Sequence, residues 1–286
     1  LSKNFDIVII DNLSHGNKIK YHNHNIKLVK GNVRDLDLVK FYSKNCSTIF
    51  HLAAVLGVDI VSKKNVETME CEFEGIKNVC HAAKKNNIKK IIYSSSSGVY
   101  GKLNYKSNVK ESATIAPVSA YSIAKRSCEF YLENFYKENK ITSIALRLFN
   151  VYGPRQDERM VIPRFIKQAT ENDQITVHGT GNQSRTFTDV EEVCKCVYLL
   201  MKNRKSYGEV VNIGGKKDIK IINLAKKIIK LTKSKSKIKI IPYKKAYSSI
   251  YEDMNNRNPS TKKLRNLIGF SPKLNIDEIL IKIVSK

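Results

Sequence analysis

No stretch of the 286 residues stays apolar for long enough to cross a bilayer, so no membrane-spanning helix is expected. No signal-peptide pattern is visible either, because the first residues run straight into a charged, strand-like segment. Nothing repeats internally and no low-complexity linker is evident, so neither a repeat array nor a pair of tethered modules is indicated. The six cysteines, at 46, 71, 80, 128, 194 and 196, lack metal-ligand or secretory-disulfide spacing. Even the closest pair, Cys194 and Cys196, falls in a helical pattern that turns the two sulfurs apart. A reduced, cytoplasmic protein is the reading that follows. Histidines are equally unpromising as ligands: His22 and His24 lie in a polar loop, His51 ends a strand, and His81 and His178 have no companions, so no metal site is expected. Acidic residues are scarce, 26 against 51 Lys and Arg, for a formal charge of +25. The lysines are nevertheless spread over almost every segment. Their densest run, residues 230–245, has no aromatic interleaving beyond Tyr243 and no recognition-helix signature. The charge therefore reads as a solvated basic surface and not as a nucleic-acid interface; it would also draw small anionic substrates towards the protein.

What is present is alternation. Short apolar runs at 5–11, 26–29, 48–54, 89–97 and 141–149 read as strands, several so continuously apolar that both faces must be covered. Helical periodicity occupies 34–44, 66–86 and 119–139. Strand, helix and strand in turn predict an α/β, doubly wound parallel sheet of the Rossmann type. Beyond residue 155 the pattern loosens: helices near 160–172, 189–203, 221–233 and 276–285 flank short strands at "ITVH", "GEVVNIGG" and "IKIIPY". The expected division is a dinucleotide-binding domain over 1–158, to which 187–214 returns, and a smaller C-terminal α/β substrate lobe from 159–186 and 215–286.

In open α/β sheets ligands bind beyond the carboxyl ends of the strands, and here those ends are chemically distinctive. Asp11 closes the first strand, where a carboxylate suits a ribose diol and repels a 2′-phosphate, which favours NAD over NADP. Ala53 and Ala54 let a cofactor approach the backbone. Four consecutive serines, 94–97, leave a buried strand where hydroxyls need partners. About 25 residues later "YSIAK" sets Tyr121 and Lys125 on one face of a helix start. A serine hydroxyl, a phenol and an ammonium together suit removal of an alcohol proton while hydride leaves its carbon. Free tyrosine has a pKa near ~10, and an adjacent ammonium and a nicotinamide cation both favour the phenolate.

The segments "DNLSHG", "HLAAV", "EGIKNVCHAAKKNNIKKIIYSSSSGVYG", "YSIAK", "LRLFNVYGPRQ", "VIPRFIKQA", "VHGTGNQSRTFTDVEEV", "NIGG" and "FSPKLNIDEIL", in that order, resemble the extended short-chain dehydrogenase/reductase family, in particular its NAD-dependent nucleotide-sugar epimerases and dehydratases. The resemblance implies Tyr121 as catalytic base, Lys125 as its electrostatic partner and ribose ligand, and Ser96 as the hydroxyl that orients the sugar oxygen. It places Asp11 and Asn12 at the adenosine ribose, Asn32 and Val33 near the adenine, Leu52, Ala53 and Ala54 along the cofactor, and Phe149 near the nicotinamide. Asn150, Arg185 and Arg257 correspond to contacts with the nucleotide-sugar phosphates, a task suited to planar bidentate donors. It also implies a homodimer formed through helices 66–86 and 119–139.

Two departures stand out. No G-x-x-G-x-x-G occurs, although in the family it follows the first strand and brings the pyrophosphate to a helix N-terminus. The sequence therefore reads as lacking the first strand and most of its helix, and this segment alone is expected to bind NAD poorly. Glu72, three residues before Gly75, stands where the family usually has Asn; it either faces solvent or signals altered cofactor handling. As for the reaction, dehydratases of the family carry Asp-Glu, and decarboxylases a glutamate, just after the catalytic Ser or Thr. Here Ser97 and Gly98 occupy those positions and cannot exchange protons in that way. The expectation is 4-epimerisation of a nucleotide-diphosphate sugar. The alternatives are a 4-keto-sugar reductase, another enzyme of the dehydratase family, or a non-catalytic truncated homologue.

Overall fold

Whether an apolar run becomes a parallel strand covered on both faces is decided by what packs on each side of it. In the computed structural model, which describes residues 5–14, 24–55, 57–101, 108–246 and 258–284, the elements follow one another closely. They begin with β1 (Ile7–Asp11), β2 (Ile26–Lys30), α1 (Leu36–Tyr42), β3 (Thr48–His51), α2 (Val58–Lys63), α3 (Asn65–Lys85), β4 (Lys90–Ser96) and α4 (Ala120–Asn139). Next come β5 (Thr142–Leu148), β6 (Val151–Tyr152), α5 (Val161–Thr170), β7 (Ile175–His178), β8 (Ser184–Thr186), β9 (Thr188–Asp189) and α6 (Val190–Lys202). The chain continues with β10 (Val210–Ile213), β11 (Asp218–Lys220), α7 (Ile221–Thr232), β12 (Ile238–Ile241), α8 (Tyr243–Ala246), α9 (Lys262–Ile268) and α10 (Ile276–Val284).

Strands β10, β5, β4 and β3 lie side by side in that order, all parallel. The pleat sorts the side chains of β4 between two cores. Ile91 and Tyr93 pack with Ile76, Val79 and Ala83 of α3 and Leu132 of α4. Ile92 joins Leu146 of β5, Val211 of β10 and Leu200 of α6 on the opposite face. Helices on both faces of a parallel sheet make the fold doubly wound, as the alternation predicts. Strands β1 and β2 pair with each other in parallel as a separate sheet.

The second lobe gathers around another core, in which Ile162 and Phe165 of α5, Val177 of β7, Leu224 and Ile228 of α7 and Leu280 of α10 are buried together. Its strands pair as β7 with β12, parallel, and β8 with β11, antiparallel. Helix α6 and β10 pack with the larger sheet, whereas Phe187 is buried in the second lobe's core. Leu264, Leu267 and Ile268 of α9, with Phe270, pack into the sheet core beside Val211, so this stretch of 215–286 belongs with the first domain. No helix among the described residues is long and apolar enough to cross a membrane.

Candidate active site

The four strands of the larger sheet run parallel, so their carboxyl ends share one rim, and Ser96 lies there at the end of β4. At the end of β4 the four serines take different roles. Ser94 Oγ donates to the His51 carbonyl at 3.2 Å, and Ser95 Oγ donates to Glu129 Oε1 at 2.5 Å. Ser96 caps the single turn 97–100, its Oγ accepting from the Gly98 N–H at 3.1 Å. That hydroxyl is half-buried. Ser97 is buried.

Helix α4 begins where Ser119 supplies its side chain as an N-cap, accepting from the Ser122 N–H at 3.2 Å. Tyr121 therefore stands in the first turn and Lys125 in the next, on one face. The Lys125 ammonium lies 5.5 Å from the Tyr121 ring centroid and 4.8 Å from that of Tyr93. It is 1% exposed. Its Nζ donates to the Ser94 carbonyl at 2.8 Å and pairs with Glu72 Oε1 at 2.9 Å. Burial by itself lowers a lysine pKa, but the charges of Tyr121 and Glu72 more than offset it, and Lys125 stays above its ordinary value. Burial and the same ammonium push His51, beside Tyr93, down to about 3, so its imidazole is neutral. His51 is thus a core histidine, although its Nε2 finds no hydrogen-bond partner among the described residues. Glu72 is wholly buried and does not face solvent.

Under this rim lies a second buried charge cluster. Arg147 of β5 holds Glu129 of α4 through two bonds, Nε to Oε1 at 2.9 Å and Nη2 to Oε2 at 2.8 Å. Its Nη1 donates to Tyr100 Oη at 2.9 Å, and that phenol donates to Asn212 Oδ1 at 2.7 Å. One network thus ties β4, β5, α4 and β10 together beneath the site.

The NAD dependent epimerase/dehydratase family profile matches residues 1–214. The chain belongs to this family. A UDP-N-acetyl-alpha-D-glucosaminuronate decarboxylase of Bacillus cytotoxicus is 32% identical over 281 residues, covering 95% of the chain and 87% of that protein. A UDP-glucose 4-epimerase of Thermotoga maritima, solved with UDP-glucose, superposes with a TM-score of 0.91 at 27% identity over 99% of the chain and 91% of that structure. A UDP-N-acetylglucosamine 4-epimerase of Methanobrevibacter ruminantium, solved with UDP-N-acetylmuramic acid, gives 0.88 at 32% identity over 98% of the chain and 89% of that structure.

NAD is the cofactor of this epimerase/dehydratase family, and the residues at the rim fit it. Leu52, 61% exposed, and Ala53 leave uncovered apolar surface at the end of β3. The Lys125 ammonium donates to the Ser94 carbonyl and lies in ion-pair contact with Glu72. Asp11 and Asn12 are exposed at the end of β1, where their side chains accept from the Leu13 and Ser14 N–H groups. Asn32 accepts from the Arg34 N–H, and Val33 packs at Gly75. The loop bearing Asn32 and Val33 is held by Asn78, whose amide donates to the Val33 and Arg34 carbonyls, a tether the sequence reading missed.

Other positions are arranged differently from expectation. β3 stops at His51, so Leu52, Ala53 and Ala54 form loop and not strand. The Phe149 ring is 1% exposed and packs against Tyr100 at 6.2 Å between centroids, so it presents no side-chain surface to the cleft. Asn150 donates to the Thr186 carbonyl at 2.9 Å, which sets it beside β8 and therefore next to Arg185. Arg257 lies outside the described residues. A Cβ at Gly98 would sit 2.6 Å from Ser122 Oγ, so any side chain there requires that hydroxyl to rotate away. No glutamate fits at 98 unless Ser122 moves.

Proposed function

We propose that the protein is an NAD-dependent 4-epimerase of a nucleotide-diphosphate sugar. One observation carries the reading: Ser96, Tyr121 and Lys125 share the rim of the sheet, while the position that would hold an extra carboxylate is a glycine closed off by Ser122. Bound NAD would supply a reversible hydride acceptor for C4. Tyr121 accepts the C4 hydroxyl proton as the ketone forms, and returns it when the sugar presents its other face. Lys125 holds positive charge beside the phenol throughout, and Ser96 donates to the sugar oxygen to keep it in line. Asn150 and Arg185, set side by side at β8, are assigned to the phosphates.

Supplied with NAD and, in separate reactions, UDP-glucose, UDP-galactose and their N-acetyl forms, the protein is expected to interconvert one epimer pair with no net NADH formed. Stoichiometric NADH consumption with a 4-keto sugar would replace this reading with a reductase. The similarity to the Bacillus cytotoxicus enzyme supports a second reading, decarboxylation of a nucleotide-linked uronic acid; release of CO2 would establish it over epimerisation.

A homodimer through α3 and α4 goes with this proposal. The two helices carry the exposed apolar side chains Val66, Phe73, Ile123, Phe130 and Tyr131, more than a lone surface needs. Phe130→Asp is expected to halve the sedimenting mass. A wild-type chain that already sediments as a monomer would sink the idea. Free cysteines throughout the described residues accord with a cytoplasmic setting.

A further inference from the structure

Helix α3 puts a carboxylate where the site has no chemical need of one. Glu72 is 0% exposed, in line with the buried Ile76, Val79 and Ala83 one, two and three turns on. Its Oε1 lies 2.9 Å from Lys125 Nζ, and its Oε2 accepts the Tyr93 hydroxyl at 3.0 Å. It approaches Lys125 from α3, whereas Tyr121 precedes that lysine on α4.

We propose that Glu72 is a positioning residue of this site, fixing both the place and the charge of the Lys125 ammonium from beneath. The role deepens the epimerase reading, since it acts on that reading's own lysine. A lysine 1% exposed would shed its proton or swing away without a counter-charge. Glu72 supplies that charge, and the Tyr93 phenol and the Ser94 carbonyl complete the cradle. The other titratable groups facing the pair are few. They are Tyr121 and Cys128 from α4, Tyr93 from β4, Cys71 from α3 and the neutral His51 from β3. Removing one negative charge from such a cluster lowers the proton affinity of every group that remains, so the effect has a single sign.

The direct test is a titration of the purified protein carrying 13Cε-labelled lysine, which needs no turnover. Wild-type Lys125 is expected to titrate with a midpoint above the ordinary lysine value of 10.5. Glu72→Gln should bring its midpoint down by about one pH unit or more. Glu72→Asp, which keeps the charge on a shorter arm, should lower it by less. A Lys125 signal that titrates identically in all three proteins overturns the proposal, and the aspartate variant suffices if the glutamine variant fails to fold. With an active enzyme, Glu72→Gln should also move both limbs of the kcat/KM profile to lower pH. A fall in kcat with both limbs unmoved would make Glu72 a packing residue only. An enzyme without activity would refute the epimerase reading while leaving the titration result intact.

Discussion

Tyr121→Phe is expected to reduce turnover by about 10²–10⁴-fold, the usual contribution of a positioned acid or base. The change removes one hydroxyl from a half-buried ring in the first turn of α4, so packing and the Ser119 cap are untouched. Bound NAD, released by denaturation and measured by absorbance, should therefore match the wild type. Retention of a tenth of the activity would refute the assignment of Tyr121 as base. Tyrosine is a cleaner probe here than its lysine partner. Lys125→Met would strand the fully buried Glu72 carboxylate without its ammonium, so lost activity could not be separated from lost structure.

The largest effect on stability is expected from Arg147→Met. Arg147 is 2% exposed and Glu129 is 0% exposed, and the pair is joined by two short bonds. Truncating one partner leaves a buried carboxylate, a loss of about 3–5 kcal/mol. Arg126 keeps a single bond to Glu129 Oε2 at 3.1 Å from a half-exposed position, which offsets part of that loss. The network also loses the Arg147 bonds to Tyr100 and the Glu111 carbonyl. Urea unfolding of the single variant should show a clear fall in midpoint, and Arg147→Met combined with Glu129→Leu should recover much of it, because two matched apolar side chains avoid the stranded charge. Equal midpoints for the single variant and the wild type would show the pair to be energetically idle.

How much of this was legible in the sequence depends on how local the signal is. Strands such as Lys90–Ser96 and Thr142–Leu148 announce themselves by apolar content, and α3 and α4 by period, because those signals lie within one element. Short elements were missed. α2, α9, β8 and β11 have three to seven residues each, too few for a period to emerge. The fate of Glu72 was in fact readable, since 72, 76, 79 and 83 form one apolar stripe on α3 and its first member must be buried with the rest. Arg147 was not. Its partner Glu129 is 18 positions away, and only the packing of α4 against the sheet brings them together. Phe149, which the family resemblance sets near the nicotinamide, has its ring in a small core with Val99, Tyr100 and Val109, a packing that no local signal announces.

The crowding at Gly98 bears on how a relative with a different reaction could arise from this chain. An acid introduced at 98 on its own would collide at its first carbon with the hydroxyl of Ser122, whereas the Ser122 Cβ is a tolerable 3.6 Å away. Rotating the Ser122 hydroxyl away from its Ser119 partner, or trimming residue 122 to alanine, opens the space for a carboxyl group at 98. Either a rotation of that one hydroxyl or its loss therefore decides how readily the loop can change.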